Sequence, residues 1–352
     1  MIRPAHRSAH LVTPLGPVGA PVRLDRLTNP FGPVPGVAWA VAATLASGTM
    51  TSAAIGRLGA RVTAAVARLA GTTPDRVVLT NGMDDLIDGL LLWRRERGPF
   101  VIFPPTDPGF AARAAQHGVE TVVWPRESRG FGIDLNRAPA LPPGATAFVM
   151  APNDPTGTTL DPTHLVRLAR TSDLVLMDER HAAYAGRDSA ALASEFDNVV
   201  LLSTLSTWAG LDAFPLAYAV GPARAIAGLA PLVRPGGVAL STLVAAAATF
   251  DDLTSALGTV RRIRLERARL WRTLRKSNLV SLPYPSTANF VLARVERGDA
   301  AAIAAALRDR DIIVQVPPEP RLAANHLRIT VGPPEATVAL GAALVQIAGQ
   351  MR

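Results

Sequence analysis

Short apolar runs alternate with longer amphipathic stretches through most of this 352-residue chain. Between residue 60 and about residue 250, the short runs are rich in β-branched residues, and the stretches between them follow the helical period. Uniformly apolar strands separated by helices are typical of a buried, mostly parallel sheet. The pattern therefore predicts an α/β fold with strands at residues 76–80, 100–103, 120–124, 146–150, 174–177, 199–203 and 216–220.

The two ends of the chain depart from this alternation. Residues 1–45 are rich in proline and glycine, and the Asn-Pro-Phe-Gly-Pro-Val-Pro stretch at 29–35 predicts a rigid extended element. After a long basic helix around 261–275, strand candidates at 288–292 and 326–331 indicate a small α+β domain. We therefore expect three parts: an N-terminal arm at 1–45, a large domain at 46–250 and a small C-terminal domain at 251–352.

Composition narrows the kind of protein. Hydrophobic residues make up 49% of the chain, which is enough for a large core. Cysteine is absent, so disulfides and thiolate metal sites are excluded, and we expect a cytoplasmic protein without a metal. The chain lacks a signal-peptide pattern at its start and has no run of about 18 apolar residues, so no membrane contact is expected. Its net charge is +8, but the arginines are dispersed outside 261–275, and a solvated helix face is favoured over a nucleic-acid site.

The stretch from Ser203 to Gly221 is the most informative for chemistry. It resembles the cofactor-lysine segment of the class I/II (fold type I) aminotransferases, closest to the histidinol-phosphate aminotransferases. In that family the lysine forms a Schiff base with pyridoxal phosphate, and an arginine eight residues later binds the phosphate. Thr207 stands at the lysine position and Pro215 at the arginine position, and a threonine hydroxyl cannot form an imine. The matching positions are Thr204, Leu205, Ser206, Gly210, Leu211 and Tyr218.

No other lysine offers a substitute, because the chain has only Lys276, which follows the basic helix and is expected to be solvated. The resemblance implies a fold type I architecture, with a mostly parallel seven-stranded sheet in the large domain and a small α+β C-terminal domain. It also implies a homodimer, since the family's active sites lie at a two-fold interface near the N-terminal arm. We expect no covalently bound cofactor, and noncovalent binding of pyridoxal or pyridoxamine phosphate stays open.

Two motifs follow predicted strands. Residues 151–157 resemble the family's Asn-Pro-Thr-Gly loop, whose asparagine binds the cofactor's 3′-oxygen, and Asp154 takes that position. The same residues also make a satisfactory plain turn. Residues 178–181 resemble the family's Asp-Glu-Ala-Tyr, whose aspartate pairs with the pyridinium nitrogen. Asp178 is kept, and His181 replaces the tyrosine; the alternative is a turn cap and an ordinary loop histidine.

The turn at residues 80–85 resembles the family's phosphate-binding turn. Main-chain N–H groups at Gly82, Met83 and Asp84, where a helix begins, suit an anion, although the acids would also favour a helix without any ligand. The hydroxyls of Thr204 and Ser206 could add donors. Without an arginine at Pro215, we expect these five residues to form a vestigial, weakened phosphate site.

Two further residues are candidates for ligand binding. Phe110 could stack on a ring, because Asp107 takes the place of the first tyrosine in the matching family stretch; a buried packing role is the alternative. Arg328 lies in Leu-Arg-Ile-Thr, which matches the family's carboxylate-binding segment, with a strand ion pair as the alternative. Gln315 stands where the family has a second phosphate-binding arginine, so histidinol phosphate is not expected as the substrate.

Three functions remain open. We favour a repurposed, cofactor-independent enzyme that uses Asp178, His181 and Asp154 as acid–base groups, with Arg328 and Thr207 contacting a small carboxylate. A noncatalytic partner or regulatory subunit is the second, because residues that maintain the fold persist while those that contact the cofactor have changed. The third is an enzyme that holds pyridoxal or pyridoxamine phosphate noncovalently, with His181 as the proton carrier.

Overall fold

The computed structural model describes residues 20–48, 51–136, 140–186, 188–233 and 237–351. The expectations for the first 19 residues of the arm therefore lie outside the described residues. The strands are β1 Val22–Arg23, β2 Val77–Thr80, β3 Phe100–Ile102, β4 Thr121–Val123, β5 Thr146–Met150, β6 Leu174–Asp178, β7 Val199–Thr204, β8 Ala217–Val220, β9 Val280–Ser281, β10 Phe290–Val295, β11 Ile312–Ile313 and β12 His326–Thr330.

The helices surround these strands. They are α1 Pro35–Ala46, α2 Ser52–Leu69, α3 Met83–Arg94, α4 Gly109–Gln116, α5 Pro162–Thr171, α6 Ala182–Ala185, α7 Ala190–Ala193, α8 Leu205–Trp208, α9 Ala223–Leu229, α10 Leu240–Asp251, α11 Leu253–Leu274, α12 Ala300–Arg308, α13 Pro320–Ala323 and α14 Pro334–Gln350. Among the described residues, no helix is both long and apolar enough to cross a membrane.

The seven predicted strands form one sheet, in the order β2-β8-β7-β6-β5-β3-β4. Strand β8 runs antiparallel to both of its neighbours, and the other pairs are parallel. Every residue of β5 and β6 is buried, because helices cover both faces of the sheet. The predicted α/β class and the mostly parallel seven-stranded sheet are thus confirmed.

Near the C-terminus, β12, β10 and β9 form an antiparallel sheet. β1 pairs with β11 in parallel, and the Thr330 amide donates to the Leu24 carbonyl at 2.8 Å. Residues near the N-terminus therefore lie beside β12, the strand that carries Arg328. Strand β10 begins at Phe290 rather than at residue 288. The side chain of Asn289, just before the strand, donates to the Leu27 carbonyl at 3.2 Å.

Candidate functional site

Three neighbouring strands end at the same edge of the large sheet and supply most of the candidate residues. Residues 151–157 follow β5, residues 179–181 follow β6, and α8 follows β7 directly. In open α/β sheets, ligands bind outside the carboxyl ends of the strands. Arg328 reaches this edge from β12 in the C-terminal sheet, since its guanidinium contacts Asp154.

Asp178 is held by Arg180. Asp178 is fully buried at the end of β6, and the Nε atom of Arg180 lies 3.0 and 2.9 Å from its two carboxylate oxygens. Nη2 donates at 2.5 Å, and the Arg180 main-chain amide donates at 3.1 Å. Burial alone would lower the pKa of Arg180, but the charges of Asp178 and Asp107 raise it above its ordinary value. Asp178 is therefore already paired within the chain.

A second carboxylate also contacts Arg180. Asp107, in the turn before α4, lies 3.3 Å from Nη1 of Arg180, and its other oxygen accepts the Gly109 amide at 3.0 Å. Sequence reasoning placed Asp107 at a lost tyrosine position and missed Arg180 altogether. The signal was available, because an arginine two residues after a buried aspartate, at the end of an apolar strand, needs an anionic partner.

His181 lies in an apolar environment. Its ring is fully buried, edge-on to Phe290 with 5.4 Å between the ring centroids, and neither nitrogen has a hydrogen-bond partner among the described residues. Burial lowers the pKa of His181 well below its ordinary value, and the positive charges of Arg180 and Arg328 act in the same direction. At neutral pH the ring is uncharged.

Arg328 and Asp154 form a buried ion pair. Nη1 of Arg328 lies 2.6 Å from the Asp154 carboxylate, and Nη2 donates to the Asp25 main-chain carbonyl at 2.7 Å. The Nε of Arg328 is buried without a partner in the part of the chain that the structure describes. Burial raises the pKa of Asp154 above its ordinary value, although the charge of Arg328 opposes this shift. The two predicted site residues are thus brought together, as partners of each other.

The hydroxyls near the start of α8 are also engaged. Thr207 Oγ1 donates to the Arg180 carbonyl at 2.8 Å. Thr204 Oγ1 donates to the Leu216 carbonyl at 2.7 Å and accepts the Ser206 amide at 3.1 Å, which caps the helix. The Thr204 hydroxyl and the Ser206 amide therefore serve the local backbone.

The predicted phosphate turn leads into α3 through Gly82, which has φ +89° and no side-chain cap. A Cβ on Gly82 would lie 3.3 Å from the Cβ of Pro215, so Pro215 is adjacent to this turn. Asp84 is exposed and pairs with Arg113 at 3.3 Å. Helix α3 begins at Met83, and no side-chain hydrogen bond caps this end of the helix.

Phe110 takes the packing role that was its alternative. Only 2% of its surface is exposed, and its ring stacks on Phe148 with 3.8 Å between centroids and 15° between planes. The ring centroid of Phe100 lies 5.3 Å from that of Phe110. These three rings form part of the core on one face of the sheet.

Pyridoxal phosphate, the family's cofactor, does not fit the residues as they stand. A protonated ring nitrogen would need Asp178, whose oxygens are occupied by Arg180. The stacking candidate, Phe110, is in the core. The only lysine, Lys276, is exposed just after α11 and lines a surface pocket with Arg269 and Arg272.

The sheet with its reversed strand β8, the C-terminal antiparallel sheet and the strand-end loops define an α/β protein of fold type I. The chain belongs to the class I and II aminotransferase family, whose sequence pattern matches residues 24–343.

Relatives named histidinol-phosphate aminotransferase are similar over most of their length. The one from Roseiflexus castenholzii is 34% identical over 344 residues, which is 94% of this chain and 91% of the relative. A solved structure from Sinorhizobium meliloti, described in complex with pyridoxal-5′-phosphate, superposes with a TM-score of 0.80 at 23% identity and covers 95% of this chain and 92% of that one. Another, from Clostridium acetobutylicum, has a TM-score of 0.81 at 16% identity over 94% and 99% of the chains. At these identities the structural matches establish the fold alone.

Proposed function

We propose that this family member binds a small carboxylate at Arg328 and does not form a Schiff base with pyridoxal phosphate. The observation that carries the proposal is the pairing of every charged candidate group within the chain, above all Asp178 with Arg180. The position matching the family's lysine holds Thr207, whose hydroxyl is bonded to the Arg180 carbonyl. Lys276 is exposed and cannot take over this role from the end of α11.

Arg328 supports carboxylate binding because it is already bound to one. Its Nη1 contacts the Asp154 carboxylate, and its Nε is buried and unpartnered among the described residues. A ligand carboxylate that displaced Asp154 could take over the Nη1 donor that Asp154 now uses. Such an exchange would keep the arginine paired throughout, and the displaced Asp154 would need a proton to avoid leaving a buried charge without a partner.

Displacement would also turn Asp154 into a proton acceptor. Burial favours the neutral form of Asp154, and the charge of Arg328 favours its ionised form. Once Arg328 is taken by a ligand, Asp154 loses its cation and binds a proton close to that ligand. The proposed enzyme therefore uses Asp154 as its acid–base group. Asp178, which we expected to share this role, is held by Arg180.

A noncatalytic role is the second candidate, and the same pairings favour it. Asp178 with Arg180 and Asp154 with Arg328 leave no charged group of the predicted site without a partner. Under this alternative the cleft would bind a regulatory carboxylate or no ligand, and the protein would act through contacts of its surface with a partner. Noncovalent binding of pyridoxal or pyridoxamine phosphate is the least supported candidate, because Arg180 covers Asp178.

Three measurements test the proposal. Reduction with borohydride after incubation with pyridoxal phosphate, followed by peptide mapping, should give no pyridoxyl peptide that correlates with activity. Calorimetry with acetate, succinate and glutarate should detect binding that Arg328→Gln abolishes. Arg294→Gln is the matched control, because Arg294 lies on the neighbouring strand β10 and is half exposed. Equal affinities in Arg328→Gln and Arg294→Gln would contradict carboxylate binding at Arg328. Turnover with a bound carboxylate that Asp154→Asn removes would separate the enzyme from the noncatalytic partner.

We also propose a homodimer, with α1 in the interface. This helix has no charged residue in its 12 positions, and 76% of Trp39 and 57% of Leu45 are exposed. A helix that is apolar all round is normally buried, and large exposed apolar side chains mark contact surfaces. A second copy is the occupant that fits, because the family resemblance puts the two-fold interface near the adjoining arm.

A further inference from the structure

We propose, resting on the cofactor-independent function above, that Arg180 is the residue that keeps a protonated ring nitrogen off Asp178. Its guanidinium supplies, from within the chain, the positive charge that pairs with the Asp178 carboxylate. The first support is the way in which Arg180 uses the carboxylate. Oδ1 of Asp178 accepts the Arg180 main-chain amide and Nε at 3.1 and 3.0 Å, and Oδ2 accepts Nε and Nη2 at 2.9 and 2.5 Å.

Those contacts occupy both oxygens of Asp178. An ionised carboxylate offers about four lone-pair sites, and three N–H groups of a single residue, with that of Nε shared between the two oxygens, make the four contacts to them. Asp178 is fully buried, so no further face is open to a ligand donor. A ring N–H can bond to this carboxylate only if the guanidinium leaves.

The guanidinium is also fixed in place. Nη1 contacts Asp107 from the turn before α4, and the Arg180 carbonyl accepts the hydroxyl of Thr207 from α8. Arg180 is therefore held by three segments of the chain, and only 18% of its side chain is exposed. Moving it away would leave Asp178 buried without a cation, which is strongly unfavourable.

The charge of Arg180 also opposes binding of a protonated ring at Asp178. With Arg180 in place, a protonated ring would put a second cation beside one buried carboxylate, and like charges disfavour that protonation state. A permanent cation thus takes the position of a titratable ring nitrogen, and the buried Asp178 carboxylate has a charge partner without any bound cofactor ring. Thr207, Arg180 and Asp107 act as one group, because each contacts the next.

The experiment compares wild type, Arg180→Ala and Arg180→Ala/Asp178→Asn. Arg180→Ala should melt at a lower temperature than wild type, and methylguanidinium chloride at millimolar concentration should raise its melting temperature saturably. The double variant, which has no buried carboxylate, should not respond, and neither should wild type. Pyridoxamine 5′-phosphate, followed by equilibrium dialysis, should bind Arg180→Ala at least about tenfold more tightly than wild type.

Both responses are required, and the absence of either overturns the proposal. Equal rescue of the single and double variants would show that methylguanidinium acts elsewhere. Equal affinity of wild type and Arg180→Ala for pyridoxamine 5′-phosphate would show that Arg180 excludes nothing. Where Arg180→Ala does not fold, Arg180→Gln keeps a donor but removes the charge, and the same gain in affinity is required. A pyridoxyl adduct in borohydride-treated wild type would defeat the proposed function instead, and is read separately.

Discussion

The Thr207 hydroxyl donates a 2.8 Å hydrogen bond to the main-chain carbonyl of Arg180. The two residues are 27 positions apart, and both depart from the aminotransferase pattern that the surrounding sequence resembles. Because the hydrogen bond fixes the backbone that presents the Arg180 guanidinium to Asp178, the two departures support each other. A substitution at Thr207 alone therefore leaves the Arg180 guanidinium on Asp178.

Thr207→Lys alone should not produce an internal Schiff base with pyridoxal phosphate. The substitution introduces an amine but leaves Arg180 on Asp178 and Pro215 beside the Gly82 turn. Each absent charge-assisted contact is worth roughly 1.5–3 kcal/mol, or about one to two decades in affinity. Absorbance in the Schiff-base band after gel filtration is the measurement, with Thr207→Ser as the folding control. A stoichiometric Schiff base in Thr207→Lys, with robust transamination, would mean that the site is far less altered than inferred.

Carboxylate binding should be coupled to proton uptake by Asp154. Ionised Asp154 is stabilised by Arg328, so a ligand that takes Arg328 should raise the pKa of Asp154 still further and shift the group towards its protonated form. Affinity should accordingly rise as the pH falls, until the ligand itself protonates. Calorimetry of succinate in two buffers of different ionisation enthalpy measures the proton count.

Asp154→Asn is the matched variant for this coupling. It keeps the shape of the side chain, removes the competing charge and should bind succinate more tightly, with no proton taken up. Unchanged affinity together with unchanged proton uptake in Asp154→Asn would place the coupled group elsewhere.

Glu179→Gln should stabilise the protein above neutral pH. Glu179 is buried, and its carboxylate accepts the Ser189 amide at 2.9 Å. Burial, with Asp188 and Asp178 nearby, raises its pKa to about 7 from the ordinary value of 4.5. The folded state therefore holds its proton longer than the unfolded state, and stability falls as the pH rises from 4.5 to 7, by about 3 kcal/mol for this group.

Urea unfolding at pH 5 and pH 8 checks this sign. The difference between wild type and Glu179→Gln should be small at pH 5 and favour the variant at pH 8. Glu195→Gln, at an exposed glutamate, serves as the control and should be neutral at both values. A variant that is less stable than wild type at pH 8 would show that ionised Glu179 is compensated by its surroundings.

Phe110→Ala should destabilise the fold without a direct effect on ligand binding. The ring stacks on Phe148 inside the core, and truncation of a buried phenylalanine costs about 3–5 kcal/mol. Phe110→Leu, which fills more of the space, should cost less. Denaturant midpoints and succinate affinity are measured together; normal stability with lost binding would instead support stacking on a ligand.

Trp39→Glu should dissociate the proposed dimer. Wild type should scatter light as a particle of twice the 37.0 kDa chain mass at micromolar concentration, and the variant as a monomer, because a charge would be buried in the interface. Val345→Glu is the control, since Val345 is 70% exposed on α14. Dissociation by Val345→Glu but not by Trp39→Glu would move the interface to α14, and a wild-type monomer would exclude both.

The sequence by itself determined the sheet. All seven strands of the large sheet were predicted within one residue at each end, because strands in a largely buried sheet require continuous apolar runs, and such runs are visible along the chain. The motif after β6 likewise identified Asp178 as a strand-end residue. The local pattern of apolar residues indicates which residues are buried, and it can be interpreted without knowing which elements pack against them.

Only the tertiary structure decided what the site residues touch. Arg328 and Asp154 are 174 positions apart along the chain. Asp25, whose main-chain carbonyl also contacts Arg328, is 303 positions from it. The motif after β6 predicted a role for Asp178 but none for Arg180. The turn after β6 nevertheless places the Arg180 guanidinium on the Asp178 carboxylate. Ion pairing depends on distances of a few ångströms, and those distances are set by how the sheet edge, α8 and the C-terminal sheet pack together.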